Sequence, residues 1–289
     1  MREKALTLLT AMLLSAVSSL AQENIWAGVK DKPRVELTPY LAAGGSGQSV
    51  IVCPGGSYFW HDTETEGTGV AQWLQAHGIS AFVLRYRTAM VPAFVTHFRL
   101  LFRGRRYPDA QDDLTQALRH VRRNASRYGI DPKQVGAMGF SAGGHLVMWA
   151  AENLNSSERP SFVVSAYPVV SMEAPCTHRR SRRGLLGDSR TSNSALRHQL
   201  SLEHHVPADC VPVLLVCCDA DPVVDPKNSL LLDSALTVQK VPHRFLHYAT
   251  GGHGFGMSDE KGTAESRQWR EECLEWMKAL KQKEKNNRP

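Results

Sequence analysis

A serine between glycines, a run of aspartates and a histidine between glycines follow one another along this chain in the order used by acyl-transfer chemistry. The serine is Ser141, in Gly139-Phe-Ser-Ala-Gly-Gly144. This run fits Gly-x-Ser-x-Gly, the pattern that presents a nucleophile on a sharp strand-to-helix turn, where flanking side chains would collide with neighbouring backbone. A serine hydroxyl is a weak nucleophile at neutral pH and needs an imidazole base that a carboxylate orients. On such a turn the acid and then the base follow the serine in sequence. His253 lies in Gly251-Gly-His-Gly-Phe-Gly256, just after an apolar run ending near Tyr248, and its small neighbours let the loop carry an imidazole close to the serine. His243 and His247 fall in that run or its entry, and His204 and His205 gain no support from spacing. For the acid, Asp219-Ala-Asp-Pro-Val-Val-Asp225 follows the apolar segment Pro212 to Cys218. Asp221 is preferred because Asp221-Pro222 makes a tight turn that aims the side chain inward; Asp219 ranks second and Asp225 third. Donors for the oxyanion of a tetrahedral intermediate are expected from Pro54-Gly-Gly-Ser-Tyr58 and from Ala142, the residue after the nucleophile.

These groups need strands that end at one edge of a sheet. Apolar runs at Ser49 to Cys53, Ser80 to Tyr86, Gln134 to Met138, Phe162 to Ala166, Pro212 to Cys218 and Arg244 to Tyr248 read as strands. Between them, helical segments are expected near Glu66 to His77, Asp109 to Tyr128, His145 to Asn153, Lys227 to Gln239 and Thr263 to Lys281. Leu114, Leu118 and Val121 mark the core-facing side of the second of these helices. The alternation implies an α/β fold, a mostly parallel doubly wound sheet with helices on both faces. The segment after Lys281 is polar and is expected to fray. Two stretches interrupt the pattern, Thr88 to Tyr107 and Met172 to His205. Both follow strands, and ligands in such sheets bind beyond the strands' carboxyl ends, so both are candidate walls or a cap. For the second, the preferred reading is a packed surface loop.

Composition narrows the class. Residues 1–21 carry Arg2 and Lys4, then an apolar stretch, then Ser19-Leu20-Ala21, which reads as a signal peptide cleaved after Ala21. Residues 22–289 are expected to form one catalytic domain of an exported, periplasmic or secreted protein without a stable membrane anchor. The net charge of +6 is modest, and Arg179-Arg180-Ser181-Arg182-Arg183 reads as a solvated loop and not a nucleic-acid site. Six cysteines make no disulfide framework in a chain of this length, although one bridge, Cys176 to Cys210, is compatible with an oxidising compartment. Twelve histidines occur without a His-Glu-x-x-His or Cys-x-x-Cys pattern, so no metal is expected. The absence of Gly-x-Gly-x-x-Gly argues against a dinucleotide, so no cofactor is expected either. Glu66 and Arg85 both fall near the expected core and are expected to pair.

With those residues in place, the chain resembles the α/β-hydrolase superfamily, and within it the small exported esterases of the acetyl-xylan and feruloyl esterase-like group. Four anchors carry the resemblance: Cys53-Pro-Gly-Gly-Ser-Tyr58, Gly139 to Gly144, Asp221-Pro-Val-Val224 with Asn228-Ser229, and Gly252-His-Gly-Phe-Gly256. It implies Ser141 as nucleophile, Asp221 as orienting acid, His253 as base, and an oxyanion hole from backbone amides near Gly56, Ser57 and Ala142. Ser57 departs from the third glycine found in many relatives and adds a side chain beside the acyl pocket. The implied substrate is a small-molecule or oligosaccharide ester, with acetyl preferred as the acyl group. Two other functions share parts of this pattern. A prolyl-oligopeptidase-type peptidase has the same elbow and triad order but generally carries a β-propeller for which this chain has no room. A non-catalytic carbohydrate-binding protein on a hydrolase fold would not need Ser141, Asp221 and His253 together.

Overall fold

Side chains alternate across the central strands, and the two apolar faces this creates dictate a three-layer molecule. The computed structural model describes residues 22–96 and 105–286. The chain enters through β1 (Glu23–Asn24), β2 (Glu36–Tyr40) and β3 (Ser49–Cys53), then a π-helical turn (Glu64–Thr68) that leads into α1 (Gly69–Ala76). β4 (Ser80–Leu84) is followed by α2 (Val91–Thr96), α3 (Asp109–Arg123) and α4 (Ala125–Tyr128). β5 (Val135–Phe140) runs into α5 (Ala142–Asn153), and β6 (Val163–Ala166) precedes α6 (Arg179–Leu186) and α7 (Ser194–Gln199). β7 (Val213–Cys218), α8 (Lys227–Val238), β8 (His243–Tyr248) and α9 (Trp269–Asn286) complete the order.

The eight strands form one sheet in the order β1-β2-β4-β3-β5-β6-β7-β8. From β4 to β8 every pairing is parallel, while β1 and β2 add an antiparallel edge. Ile51 and Cys53 point to the layer of α3, α5 and α8, where they pack with Leu114, Leu118, Leu146 and Leu232. Val50 and Val52 point to the opposite layer, against Val70 and Leu74 of α1 and Trp269, Cys273 and Met277 of α9. Each buried aliphatic side chain in these layers is worth about 1.5–3 kcal/mol relative to exposure, and this burial drives the wrapping.

Several expected boundaries move. The second expected helix divides at Asn124, whose side-chain amide donates to the carbonyl of His120 at 2.8 Å and whose φ and ψ leave the helical range. The expected frayed segment after Lys281 is instead helical through Asn286. β1 and β2 were not anticipated. Pro39 is tolerated in β2 because β1 pairs only with Glu36 and Leu37, leaving Pro39 unpaired on that side. The leader reading falls on residues 1–21, outside the described residues, as do His97, Phe98, Arg99, Phe102 and Arg103 of the Thr88-to-Tyr107 stretch.

Candidate active site

Ser141 joins β5 to α5 with φ 53° and ψ −116°, a strained left-handed backbone that lifts its hydroxyl off the sheet's carboxyl edge. The turn closes only because its neighbours lack side chains. A Cβ on Gly139 would lie 2.1 Å from the carbonyl oxygen of Gly143, and a Cβ on Gly143 would lie 2.0 Å from that of Cys53. The Ser141 N–H donates to Ala166 in β6 at 2.9 Å, which anchors the strained residue to the sheet.

The loop after β8 brings His253 to this serine. The ring's Nδ1–H donates to Asp221 Oδ2 at 2.7 Å, so its Nε2 faces the Ser141 hydroxyl, at 2.9 Å, as the acceptor. The other oxygen of Asp221 accepts the backbone N–H groups of Val223 at 2.8 Å and Val224 at 3.0 Å, which fix the carboxylate in the turn after β7. The alternative acids are engaged elsewhere. Asp219 meets His247 at 2.7 Å on the exposed face of β8, and Asp225 accepts the N–H of Lys227 at 2.9 Å where α8 begins. The Cys218 thiol donates to the carbonyl of Gly252 at 3.0 Å and holds the histidine loop against β7.

Opposite lies the loop after β3. Gly56 sits at φ 134°, and a Cβ there would meet the Trp60 carbonyl oxygen at 2.1 Å, so glycine is obligatory. Ser57 and Tyr58 follow at φ 56° and 61°, turning their amides away from the sheet ladder. The N–H groups of Gly56, Ser57 and Ala142 make no hydrogen bond among the described residues. The loop is braced from below. The Tyr86 hydroxyl donates to the Pro54 carbonyl at 2.6 Å, and the Tyr58 hydroxyl donates to His145 Nδ1 at 2.8 Å. His145 Nε2–H donates in turn to the Leu200 carbonyl at 2.9 Å, and burial lowers this imidazole to about 4, so it stays neutral.

The arginine run is not a solvated loop. It forms α6, which packs on this same loop so closely that a Cβ on Gly184 would lie 2.2 Å from the Ser57 carbonyl oxygen. Arg180 donates from Nε to Ser57 Oγ at 3.0 Å and lies over the Trp60 ring. Arg182 donates to the Met172 carbonyl at 3.0 Å, and Arg183 pairs with Asp188 and reaches the Ala93 carbonyl at 2.7 Å. A loop-like reading missed this because four arginines mask the small face, Ser181 and Gly184, that lets the helix approach.

The expected pairing of Glu66 with Arg85 is not formed. Arg85 lies past the end of β4 and reaches out to Glu36 on β2, at 3.1 Å in an exposed pair. Glu66 is buried and accepts the Gly55 N–H at 2.7 Å and the Tyr167 O–H at 2.9 Å. Burial pushes its carboxyl up to about 6, against the opposing pull of His253 and of those two donors. Tyr167 and His145 were not singled out from the sequence. Tyr167 had one available signal, its place directly after the Phe162 to Ala166 strand at the ligand-binding edge.

All six cysteines are free thiols, so Cys176 and Cys210 are not bridged. Glu173, His198 and His204 gather within metal-ligand range on the surface of the Met172-to-His205 stretch. The two imidazoles stack at 4.5 Å with an interplanar angle of 21°, and the point on which their nitrogens converge is occupied by one Glu173 carboxylate oxygen.

Comparison with known proteins gives a consistent picture. The BD-FAE family model matches residues 40–236. The acetylxylan esterase of Xylanibacter ruminicola is 30% identical over 254 residues, covering 86% of this chain and 50% of that protein. Endo-1,4-beta-xylanase B of Butyrivibrio fibrisolvens is 31% identical over 223 residues, covering 73% of this chain and 33% of that protein. The chain thus spans half the length of the first relative and a third of the second. Among solved structures, an acetyl ester-xyloside bifunctional hydrolase from Caldicellulosiruptor lactoaceticus superposes with a TM-score of 0.77 at 30% identity, covering 90% of this chain and 96% of that one. A carboxylesterase from Lactobacillus plantarum shares the fold, with a TM-score of 0.71 at 20% identity over 90% of this chain and 96% of its own.

Proposed function

Since the chain belongs to the BD-FAE family and has the α/β-hydrolase fold, we propose that it is a serine carboxylic-ester hydrolase that removes acetyl or similarly small acyl groups from carbohydrate. The observation that carries this reading is the unbroken chain Asp221–His253–Ser141, at 2.7 and 2.9 Å, beside a glycine loop whose Gly56 and Ser57 amides, like that of Ala142, make no hydrogen bond among the described residues.

In the proposed reaction Ser141 Oγ attacks the ester carbonyl carbon while His253 Nε2 takes its proton. The carbonyl oxygen becomes an oxyanion held by the N–H groups of Gly56 or Ser57 and Ala142, placed before charge develops. The bond from the carbonyl carbon to the alcohol oxygen then breaks, and His253 returns the proton to that oxygen. Water, deprotonated by the same imidazole, attacks the acyl-enzyme and releases the carboxylic acid and Ser141. Asp221 keeps the ring in the tautomer that leaves Nε2 free to accept. No step calls for a metal or organic cofactor.

A carbohydrate substrate is supported by the names of the relatives, which act on xylan esters or xylan itself, and by the leader-like residues 1–21, from which we propose export. Released acetate and ferulate, measured on acetylated and feruloylated xylo-oligosaccharides beside proline-containing peptide amides, test the substrate class. Acetate release is expected to dominate. Amide cleavage with inert esters would replace this reading with a peptidase.

A further inference from the structure

Glu66 is a buried ionisable group that the scheme above leaves without a part. Its two carboxylate oxygens serve different halves of the site. One accepts the N–H of Gly55, which opens the oxyanion loop and lies so near the serine that a Cβ on it would be 2.9 Å from Ser141 Cβ. The other accepts the hydroxyl of Tyr167 at 2.9 Å, and that hydroxyl accepts the Gly256 N–H of the histidine loop at 3.1 Å. The Tyr167 ring packs 4.8 Å from the His253 imidazole, and its own backbone is held at φ 37° by an N–H donated to Val216 at 2.6 Å. The histidine loop also passes directly over the carboxylate: a Cβ on Gly254 would lie 3.7 Å from Glu66 Oε1.

Resting on the esterase reading, we propose that Glu66 is a positioning residue: it ties the oxyanion loop to the histidine loop, and its negative charge supports the imidazolium that forms at His253 during acyl transfer. A charge in a dry interior acts across several ångströms with little screening, so contact with the ring is not required. The acceptor role requires the ionised form. Protonation would leave one oxygen accepting from Gly55, reverse the Tyr167 bond so that the acid O–H donates to the phenol oxygen, and remove the negative charge that faces His253. Burial lifts Glu66 to about 6, which leaves it ionised at neutral pH and neutralises it in mild acid. The other groups facing Glu66 are Asp62, which is paired with Lys261 at 3.7 Å, and the hydroxyls of Tyr86 and Tyr167. His253 additionally faces Asp221 and the imidazole of His178, which burial keeps neutral.

Glu66→Gln and Tyr167→Phe separate the two parts of the proposal when kcat and KM for p-nitrophenyl acetate are followed over roughly pH 5 to 9. Glu66→Gln is expected to lower kcat by about 10- to 100-fold with KM within about 3-fold. It should also move the acid limb of kcat/KM to lower pH, because the imidazolium loses a negative neighbour. Tyr167→Phe keeps the charge and loses the tie, so it should lower kcat and leave that limb where it is. A Glu66→Gln enzyme whose acid limb stays in place, or whose kcat is unchanged, overturns the proposal while leaving the esterase reading intact. A wild-type protein inert towards every ester sinks the esterase reading instead. If Glu66→Gln does not fold, the wild-type profile decides: the proposal expects an acid limb steeper than that of one proton, and a one-proton limb overturns it.

Discussion

Asp221, in the turn after β7, gives one oxygen to His253 and the other to the amides of Val223 and Val224. Glu66, in the turn after β3, hydrogen-bonds to no imidazole among the described residues and divides its oxygens between Gly55 and Tyr167. Both carboxylates are buried beside the same ring. In the proposed mechanism Asp221 acts by contact, fixing a tautomer and an angle. The proposed role of Glu66 is at one remove, through the two loops its oxygens join. The difference teaches that an orienting acid is replaceable only at the cost of the chemistry itself, whereas a bracing acid sets how well the parts are aligned. It also separates what is local in the chain from what is not, since two of the contacts of Asp221 lie two and three residues away while those of Glu66 lie 11 and 101 away.

The largest expected effect strikes the serine that both carboxylates serve through His253. Ser141→Ala should lower kcat for an acetyl ester by about ten-thousand-fold or more, with melting temperature little changed. Asp221→Asn comes next, with a loss of about a thousand- to ten-thousand-fold, because the amide would favour the tautomer that carries a proton on Nε2. If Asp221→Asn cost no more than Glu66→Gln, the distinction between contact and bracing would collapse.

A smaller effect concerns stability and runs in the opposite direction for Glu66. Its carboxyl is raised from an ordinary 4.5 to about 6, so the stability this group contributes is fully present below about pH 4.5 and is lost as pH rises through 6. Glu66→Gln removes that dependence. Relative to wild type, the variant should therefore gain about 2 kcal/mol between acid and neutral pH, measured as the change in their unfolding free-energy difference. An unchanged difference would show that Glu66 titrates alike in the folded and unfolded chain. The smallest effect belongs to Arg85→Ala, where loss of the exposed pair with Glu36 should shift unfolding by less than about 0.5 kcal/mol. A cost of several kcal/mol would mean that Arg85 has a buried partner after all.

The parts legible in the sequence were those whose geometry is written over a few residues. The elbow needs glycine at 139 and 143 because the carbonyls of Gly143 and Cys53 occupy the space of any side chain, so the motif and its cause coincide. The choice of Asp221 over Asp219 and Asp225 followed from one proline, and the structure brings Ser141, Asp221 and His253 into one hydrogen-bonded chain. The strands β3 to β7 were readable as apolar runs because both faces are covered. β1 escaped notice because two residues carry no period, and β2 because its alternation includes a proline. The partner of Glu66 was misread for a different reason. Burial near a strand suggested an ion pair, whereas the side chain is satisfied by a backbone amide and a phenol from distant loops, which no local pattern announces. The α6 arginines misled through composition, since their charge hides the small residues that seat the helix on the loop after β3.

Covalent labelling with a fluorophosphonate, followed by mass spectrometry of the peptides, asks whether Ser141 is the nucleophile. One adduct is expected, on Ser141, formed rapidly by the wild type, slowed severely by Asp221→Asn and absent from Ser141→Ala. Absence of labelling on Ser141 in folded wild-type protein, or an adduct on another residue that persists in Ser141→Ala, would contradict that role.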